Sequence, residues 1–226
     1  MNSRYRLIIA FSLLLLGLIP LREALPDDKL STAIGGIRGR YGNAKGLTAE
    51  YSREAISKTM AMLDVAERHD LAKGRLYFSP PHFLRLEQAF PQEELLLTDG
   101  QTLWWYLPLK KEVYKYPTEK FGRELRLLSD IFKGLKDTED SFHIALKPTP
   151  ETNTYHLTLK PEPPWQEIDH LEVIILKGDF AIKQMDIYNT IGGLTRFLFT
   201  DWEEKDRFSP GFFSFSPPPG IKVIEE

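Results

Sequence analysis

The amino-acid sequence predicts a mainly β fold of the α+β class, an antiparallel barrel or sandwich accompanied by short helices. Short apolar runs alternate with turn residues from Gly46 onward, as at Asp99-Gly100 and Gly192-Gly193. The 226 residues are enough to bury a substantial core. The sequence shows no repeat with a period of about 20 to 50 residues, so neither a propeller nor a solenoid is expected.

Each apolar run is a strand candidate because turn-forming residues bound it on both sides. The candidates are residues 47–59, 61–69, 73–79, 83–89, 93–98, 102–107, 111–116, 141–146, 154–160, 168–176, 180–189, 194–201 and 211–215. Their regular spacing, with short turns between them, favours an antiparallel barrel or sandwich.

A first helix is predicted ahead of the strands. Leu30, Ile34, Ile37 and Tyr41 recur at spacings of four, three and four residues, which places them on one face of an amphipathic helix. Three glycines lie between these residues, and each costs roughly 1 kcal/mol relative to alanine in a helix interior. We therefore expect this helix to depend on packing against the sheet.

A second helix is predicted within GRELRLLSDIFKGL, residues 122–135, where it interrupts the strand pattern. The apolar residues of this segment recur at helical spacing. They are Leu125, Leu128, Ile131, Phe132 and Leu135. A helix in the middle of a β-meander is unusual and suggests a specific role.

The first 24 residues are predicted to be a signal peptide. Arg4 and Arg6 precede an apolar run of fifteen residues, 7–21, which is short for a membrane span and typical of a secretory leader. An uncleaved membrane anchor is the alternative interpretation. We expect export to an aqueous compartment and a single domain over residues 25–226.

The composition excludes several kinds of chemistry. The sequence has no cysteine, so it offers no disulfide, thiol nucleophile or thiolate metal ligand. Its formal net charge of −3 does not suggest nucleic-acid binding. The five histidines are dispersed, and no Gly-x-Ser-x-Gly nucleophile motif occurs. We therefore expect no enzymatic activity, catalytic residue, metal or cofactor.

The segment ELLLTDGQTLWWYLP, residues 94–108, has the pattern of a β-hairpin. With a two-residue turn at its Asp-Gly pair, Leu95 would oppose Trp104. Directly opposed residues share a face and faces alternate along a strand, so Leu95, Leu97, Trp104 and Tyr106 would lie on one face. This face is the more apolar one, and we predict that it is the concave face of the sheet.

The preceding strand candidate shows the same alternation more clearly, because Leu84 and Leu86 face one way and Arg85 the other. Any one of these apolar residues could be an ordinary core residue. Together they exceed the apolar surface that two short helices can cover. The remainder is expected to line a cavity, and mostly apolar cavities bind apolar ligands.

The residues of four segments resemble the LolA family of periplasmic lipoprotein carriers. GRLYFSPPHFLRLEQAFPQEELLLTDGQTLWWYLP, residues 74–108, contains a hairpin similar to the family pattern D-G-x-x-L-W-x-Y. The segments YHLTLKP (155–161) and MDIYNTIGG (185–193) are similar to later strands of the family. FFSFSPPPGIKVI (212–224) resembles its closing signature, and the whole resemblance extends over residues 27–226.

The resemblance implies an unclosed antiparallel β-barrel whose open side is capped by short helices. The cavity between them would take lipoprotein acyl chains through Leu84, Leu86, Leu95, Leu97, Trp104 and Tyr106. The lid residues would be Leu125, Leu128, Ile131, Phe132 and Leu135. The implied partners are an inner-membrane lipoprotein-releasing ABC transporter and an outer-membrane lipoprotein acceptor, and the implied carrier is monomeric and periplasmic.

One position departs from the family pattern. Family members often carry an arginine before the proline of the cavity strand, where it helps to hold the lid shut, and this chain has Pro80 there. A carrier of another lipid, such as a glycolipid or a pigment precursor, therefore stays open. A lipid-sensing periplasmic regulator is a second alternative, although such regulators usually carry an additional C-terminal domain. A purely structural surface protein is the third.

Overall fold

A twelve-stranded sheet makes up most of the described chain in the computed structural model. The structure describes residues 26–57, 70–117, 130–133, 135 and 141–225. Helix α1 precedes the sheet, and the lid segment, defined here as residues 130–133 and 135, lies between the sixth and seventh strands.

The elements follow the predicted order closely. They are α1 (Pro26–Tyr41), β1 (Leu47–Ile56), β2 (Asp70–Ser79), β3 (Phe83–Phe90), β4 (Glu94–Thr98), β5 (Thr102–Leu107), a 3-10 turn (Pro108–Lys110), β6 (Glu112–Pro117), β7 (Phe142–Lys147), β8 (Thr154–Pro161), β9 (Ile168–Leu176), β10 (Ile182–Asn189), β11 (Leu194–Glu204) and β12 (Lys222–Glu225).

The strand order is β12-β6-β5-β4-β3-β2-β1-β11-β10-β9-β8-β7. All neighbouring strands are antiparallel except β12, which pairs in parallel with β6. Within the described chain β7 and β12 form the two edges and do not pair with each other. The predicted mainly β fold with an unclosed antiparallel barrel is confirmed.

Helix α1 covers part of the inner face through the side that its periodicity predicts. Ile34, Ile37 and Tyr41 are buried, with Leu30 partly buried beside them. The Tyr41 hydroxyl accepts a hydrogen bond from the backbone N–H of Ile182 at 2.9 Å. Because this bond joins α1 to β10, the helix is fixed by tertiary contacts rather than by its own helix propensity.

One of the helix glycines has a packing role. An ideal Cβ on Gly36 would lie 2.0 Å from the ring of Phe180, so only glycine allows that ring to approach the helix backbone. Phe180 in turn stacks on Tyr155 of β8 with a centroid separation of 6.3 Å. The loss in helix propensity at this position is therefore offset by contact with the sheet.

The outer face of strands β2 to β5 is covered by the aromatic strap, defined here as residues 208–215. The ring of Phe215 lies 5.5 Å from Trp104 and 5.4 Å from Tyr106. Phe213 lies 5.5 Å from the ring of Phe83. These apolar contacts remove from water a sheet face that would otherwise be exposed.

The strap corrects one sequence-based prediction. Residues 211–215 were expected to form a strand, but they form turns that place successive phenylalanines against the sheet. Ser214 donates its backbone N–H to the Gly211 carbonyl, and Gly211 adopts a φ of +79° that favours glycine. The last strand is instead β12, Lys222–Glu225, which the sequence patterns did not predict.

Several predicted features lie outside the described residues. They are the signal peptide of residues 1–24, the strand candidate 61–69, and Leu125 and Leu128 of the lid helix. Among the helices that are described, none is long and apolar enough to cross a membrane.

Replacing Gly74 with alanine tests the close approach of β2 to β3. An ideal Cβ at this position would lie 2.0 Å from the Glu87 carbonyl oxygen, so the two backbones would have to separate. Overpacking of this kind costs ~1–3 kcal/mol, and we expect Gly74→Ala to lower the free energy of unfolding in urea by that amount. Gly178→Ala is the control, because nothing lies within 4 Å of a Cβ there. Equal losses in the two variants would contradict this geometry.

Candidate functional site

A cavity of about 570 Å³ opens on the inner face of the sheet. Its volume lies within the range of roughly 300–1,000 Å³ that is usual for small-molecule sites. The apolar part of its wall comes from strands β1, β3, β4, β5, β10 and β11. The large apolar residues of this wall are Tyr51, Leu86, Leu96, Trp105, Ile187 and Phe197.

The register of the sheet explains why these side chains converge. Leu86 on β3 opposes Leu96 on β4, and Leu96 opposes Trp105 on β5. Opposed residues share a face, so the three form a continuous apolar row across neighbouring strands. Leu84, one alternation along β3, is buried on the same face. The structure therefore places Leu84 and Leu86 on the inner face.

The predicted orientation of the hairpin is wrong. Leu95, Leu97, Trp104 and Tyr106 lie on the outer face, because they alternate with Leu96 and with the tryptophan that lines the cavity. Trp104 and Tyr106 contact Phe215 of the aromatic strap. The face with the higher apolar content points outward because the strap, more than one hundred residues away in sequence, covers it.

The hairpin pairing also differs from the prediction by two residues. Leu97 opposes Trp104, and Thr98 opposes Leu103, so the connection is longer than a two-residue turn. The Asp99 carboxylate accepts hydrogen bonds from the backbone N–H groups of Gln101 and Thr102, both at 2.9 Å. A shift of two residues preserves which side chains share a face, since the period of a strand is two.

The lid segment is packed onto the inner face. Ile131, Phe132 and Leu135 are all buried. The ring of Phe132 lies 5.7 Å from Phe78 and 5.4 Å from Trp202, and it also contacts Phe199 at 5.9 Å. These contacts place the predicted lid residues that are described over the barrel interior.

The end of the lid segment is held by local bonds. The Leu135 backbone N–H donates to the Asp130 carbonyl at 3.0 Å, and Lys133 pairs with the Asp130 carboxylate at 2.7 Å. Leu135 has a φ of +59°, an unfavourable conformation for a leucine. This conformation is maintained because the side chain is buried in the core.

Polar side chains line one part of the cavity. Glu94 accepts a hydrogen bond from Trp105 Nε1 at 3.1 Å and another from Gln92 Nε2 at 3.1 Å. Gln88 Nε2 donates to the Gln92 carbonyl oxygen at 3.1 Å. Arg53, on β1, is the cationic residue of the described wall. The cavity is therefore amphipathic, with an apolar row and a group of polar side chains.

Tyr51 lines the cavity together with the charged residues Arg53 and Glu94. Burial is the main cause that raises its pKa from 10.0 to about 12, with a smaller lowering effect of Arg53 and a raising effect of Glu94. The phenol is therefore neutral at physiological pH, and it presents an aromatic surface with one polar atom to the cavity.

Of the described wall residues the sequence patterns assigned Leu86 alone to the cavity, and five of those that they missed show why. They are Tyr51, Arg53, Leu96, Trp105 and Phe197. The alternation of side chains placed Leu96 and Trp105 on one face of the hairpin. The sequence analysis took the opposite face as the concave one. Tyr51, Arg53 and Phe197 belong to strands that become neighbours only when β1 pairs with β11.

Comparison with known proteins identifies the family. A sequence profile described as "Outer membrane lipoprotein carrier protein LolA" matches residues 43–216. An outer-membrane lipoprotein carrier protein of Nitrosospira multiformis is 23% identical over 207 residues, covering 87% of this chain and 90% of the relative. One from Methylococcus capsulatus is 26% identical over 225 residues and covers 98% of each chain.

A solved structure supports the fold. The crystal structure of an uncharacterized conserved protein from Thermus thermophilus aligns with a TM-score of 0.53 at 12% identity. The alignment covers 88% of this chain and 99% of that protein. At this identity the likeness shows a shared fold alone.

The raised pKa of Tyr51 leads to a prediction about alkaline stability. The folded state favours the neutral phenol, so this contribution is complete below the unfolded pKa of 10.0 and is lost as the pH rises towards about 12. Between about pH 8 and pH 11.5 the loss from this group is ~2 kcal/mol. Tyr51→Phe cannot ionise, and we expect its unfolding free energy to fall by ~2 kcal/mol less over that interval.

Urea unfolding at the two pH values measures this difference. The other buried tyrosines are present in both proteins, so their ionisation cancels in the comparison. Parallel losses in the two proteins would show that Tyr51 titrates normally.

Proposed function

The chain belongs to the LolA family of outer membrane lipoprotein carrier proteins, and we propose that it carries the acyl chains of lipoproteins in the inner-face cavity. The observation that supports this most directly is the apolar row of Leu86, Leu96 and Trp105, which faces a cavity on the inner face of the sheet. Relatives that bear the name of lipoprotein carrier match almost the whole chain.

The physical requirement on such a carrier is to bind acyl chains well and still release them. Each buried methylene contributes about 0.8 kcal/mol, so a chain of ordinary length cannot cross water unprotected. The walls that Leu86, Leu96 and Phe197 provide bind by apolar area and not by directed hydrogen bonds. Binding by area tolerates different chains and leaves the release step to movement of the lid.

We assign the acyl-binding surface to inner-face residues. This surface includes Leu84 and Leu86, which the sequence analysis predicted as cavity residues. Leu96 and Trp105 take the place of the predicted hairpin residues, which lie on the outer face. The lid assignment stays with Ile131, Phe132 and Leu135, whose burial supports it. Leu125 and Leu128 remain lid residues by prediction only.

In the proposed cycle, the lid closes over the inner face when the cavity is empty and moves away when acyl chains enter. Phe132 would exchange its contacts with Phe78 and Trp202 for contacts with the cargo, which are of similar apolar character. Because both sets of contacts are apolar, one would compensate for the loss of the other when the lid moves. Such a balance suits a protein that must give its cargo away.

The remaining parts of the proposal concern location and partners. We propose that residues 1–24 direct export to the periplasm, and that residues 25–226 act there as one monomeric domain. The cargo would come from an inner-membrane lipoprotein-releasing ABC transporter and pass to an outer-membrane acceptor. The role is that of a carrier without catalysis.

Native mass spectrometry of protein purified from the periplasm of its own host tests the cargo. We expect a triacylated lipoprotein to co-purify, since the cavity would protect its chains. A glycolipid or another free lipid in its place would move the function to a different transport route on the same fold. Protein that remains empty when incubated with detergent-solubilised lipoprotein would contradict the proposal.

A pair of adjacent substitutions tests which face binds. Leu96 and Leu95 are neighbours on β4, both partly exposed, but Leu96 lines the cavity and Leu95 lies on the outer face. A carboxylate among acyl chains would have no hydrogen-bond or ion-pair partner. We therefore expect Leu96→Asp to weaken acyl binding by at least about a hundredfold. Leu95→Asp should bind within about threefold of the wild type. The reverse ranking in a fluorescence displacement assay would restore the hairpin residues as cavity residues.

A further inference from the structure

The cationic residue of the cavity wall is not explained by the apolar cargo alone. Arg53 lies near the end of β1, where it opposes Ala72 on β2 and Phe197 on β11. Phe197, Tyr51 and Ala55 line the same cavity beside it. A guanidinium in this position is partly removed from water and surrounded on its own strands by apolar groups.

The hydrogen-bonding capacity of this guanidinium is not used within the described chain. Arg53 Nε is buried and has no acceptor among the residues that the structure describes. No carboxylate in the same set lies within ion-pair distance of Arg53. A buried hydrogen-bond donor without a partner costs free energy, and native sites normally supply one.

The acidic residue of the wall is already satisfied elsewhere. Both oxygens of Glu94 accept hydrogen bonds, one from Gln92 and one from Trp105. Two strands separate β1 from β4 in the sheet, a distance of about 14 Å along its surface. Glu94 and Arg53 therefore lie on different walls, and Arg53 remains available to a ligand.

The position of Arg53 relative to the apolar row gives the cavity a polar end. Thr195 opposes Ala55 at the start of β11, and Gln92 lies in the turn between β3 and β4. These polar residues and Arg53 line the cavity at one end of the sheet, beyond the level of Leu86. An amphiphile would fit with its chain along Leu86 and Leu96 and its polar end beside Arg53.

We propose that Arg53 binds a negatively charged group, a carboxylate or a phosphate, at the polar end of an acyl ligand. A guanidinium donates two parallel hydrogen bonds to either group, which makes the pair stronger than a bond to a neutral ester. The inference rests on the proposed function to the extent that the cavity must accept an acyl chain. It adds that a carboxylate or phosphate beside the acyl chain strengthens binding relative to an uncharged end of the same ligand.

Three ligands with the same chain separate charge from apolar area. Dodecanoate and dodecyl phosphate carry the two anionic groups, and methyl dodecanoate carries an uncharged ester. Their affinities are measured at about pH 8 by displacement of a neutral naphthylamine fluorophore from the purified protein. We expect the wild type to bind at least one anion about tenfold or more tightly than the ester, a difference of about 1.4 kcal/mol.

The variants assign this preference to one side chain. Arg53→Met keeps the length and apolar stem of the residue, and it should lose the preference while its affinity for the ester stays within about threefold. Arg53→Lys keeps the charge without the paired donors and should keep part of the preference. Arg75→Met is the control, because Arg75 is on the opposite face of the sheet and is paired with Glu50 at 3.4 Å.

The outcomes are distinct for the two proposals. Equal binding of ester and both anions by the wild type, or a preference that survives in Arg53→Met, would overturn the role of Arg53 and leave the acyl cavity intact. Failure of all three ligands to bind would overturn the acyl cavity as well. Preference for phosphate alone would assign the charge to a phospholipid-type head, and preference for the carboxylate to a fatty acid, each in support of the proposal.

Discussion

The structure depends on one constraint: an antiparallel sheet that does not close has two faces and two edges to protect from water. A closed barrel has a single interior, but here the inner face must be covered by other elements. Helix α1 and the lid segment supply this cover through Ile37 and Phe132, both fully buried. Removal of either cover would expose the apolar strands beneath it. The opening that this architecture leaves is also what makes room for a ligand.

The same constraint acts on the outer face and explains the aromatic strap. Trp104 and Tyr106 give β5 a second apolar face, which Phe215 covers. Arg85 assists by donating a hydrogen bond to the Phe212 carbonyl at 2.9 Å while its guanidinium lies 4.8 Å from the Phe212 ring. Farther along the sheet the outer face is polar, with a buried carboxylate paired to an arginine between β10 and β11. Only the half beneath the strap needs an apolar cover.

The cavity combines two properties that a carrier requires. In the proposed function, its apolar row would hold chains by area, which allows variation in the cargo, and a chain would replace the aromatic contacts that attach the lid. The proposed role of Arg53 would add direction to a site that would otherwise accept a chain in either orientation. A fixed orientation of the ligand would be useful in its transfer, because the end of the ligand that enters last is the end presented to the next protein.

The sequence by itself determined most of the described elements and the alternation within each of them, because a single segment contains the information that specifies these local features. Leu84 and Leu86 share a face since a strand has a period of two, and the register error in the hairpin did not change which residues group together. Only the tertiary structure decided which face points inward. Trp104 belongs to the more apolar face, but the strap covers that face from a distant part of the chain. Arg53 became a cavity residue when β1 paired with β11, a contact that no local pattern predicts. Whether a residue is buried depends on which elements cover it. Here the covering elements come from distant parts of the chain, and they meet the sheet only when the chain folds.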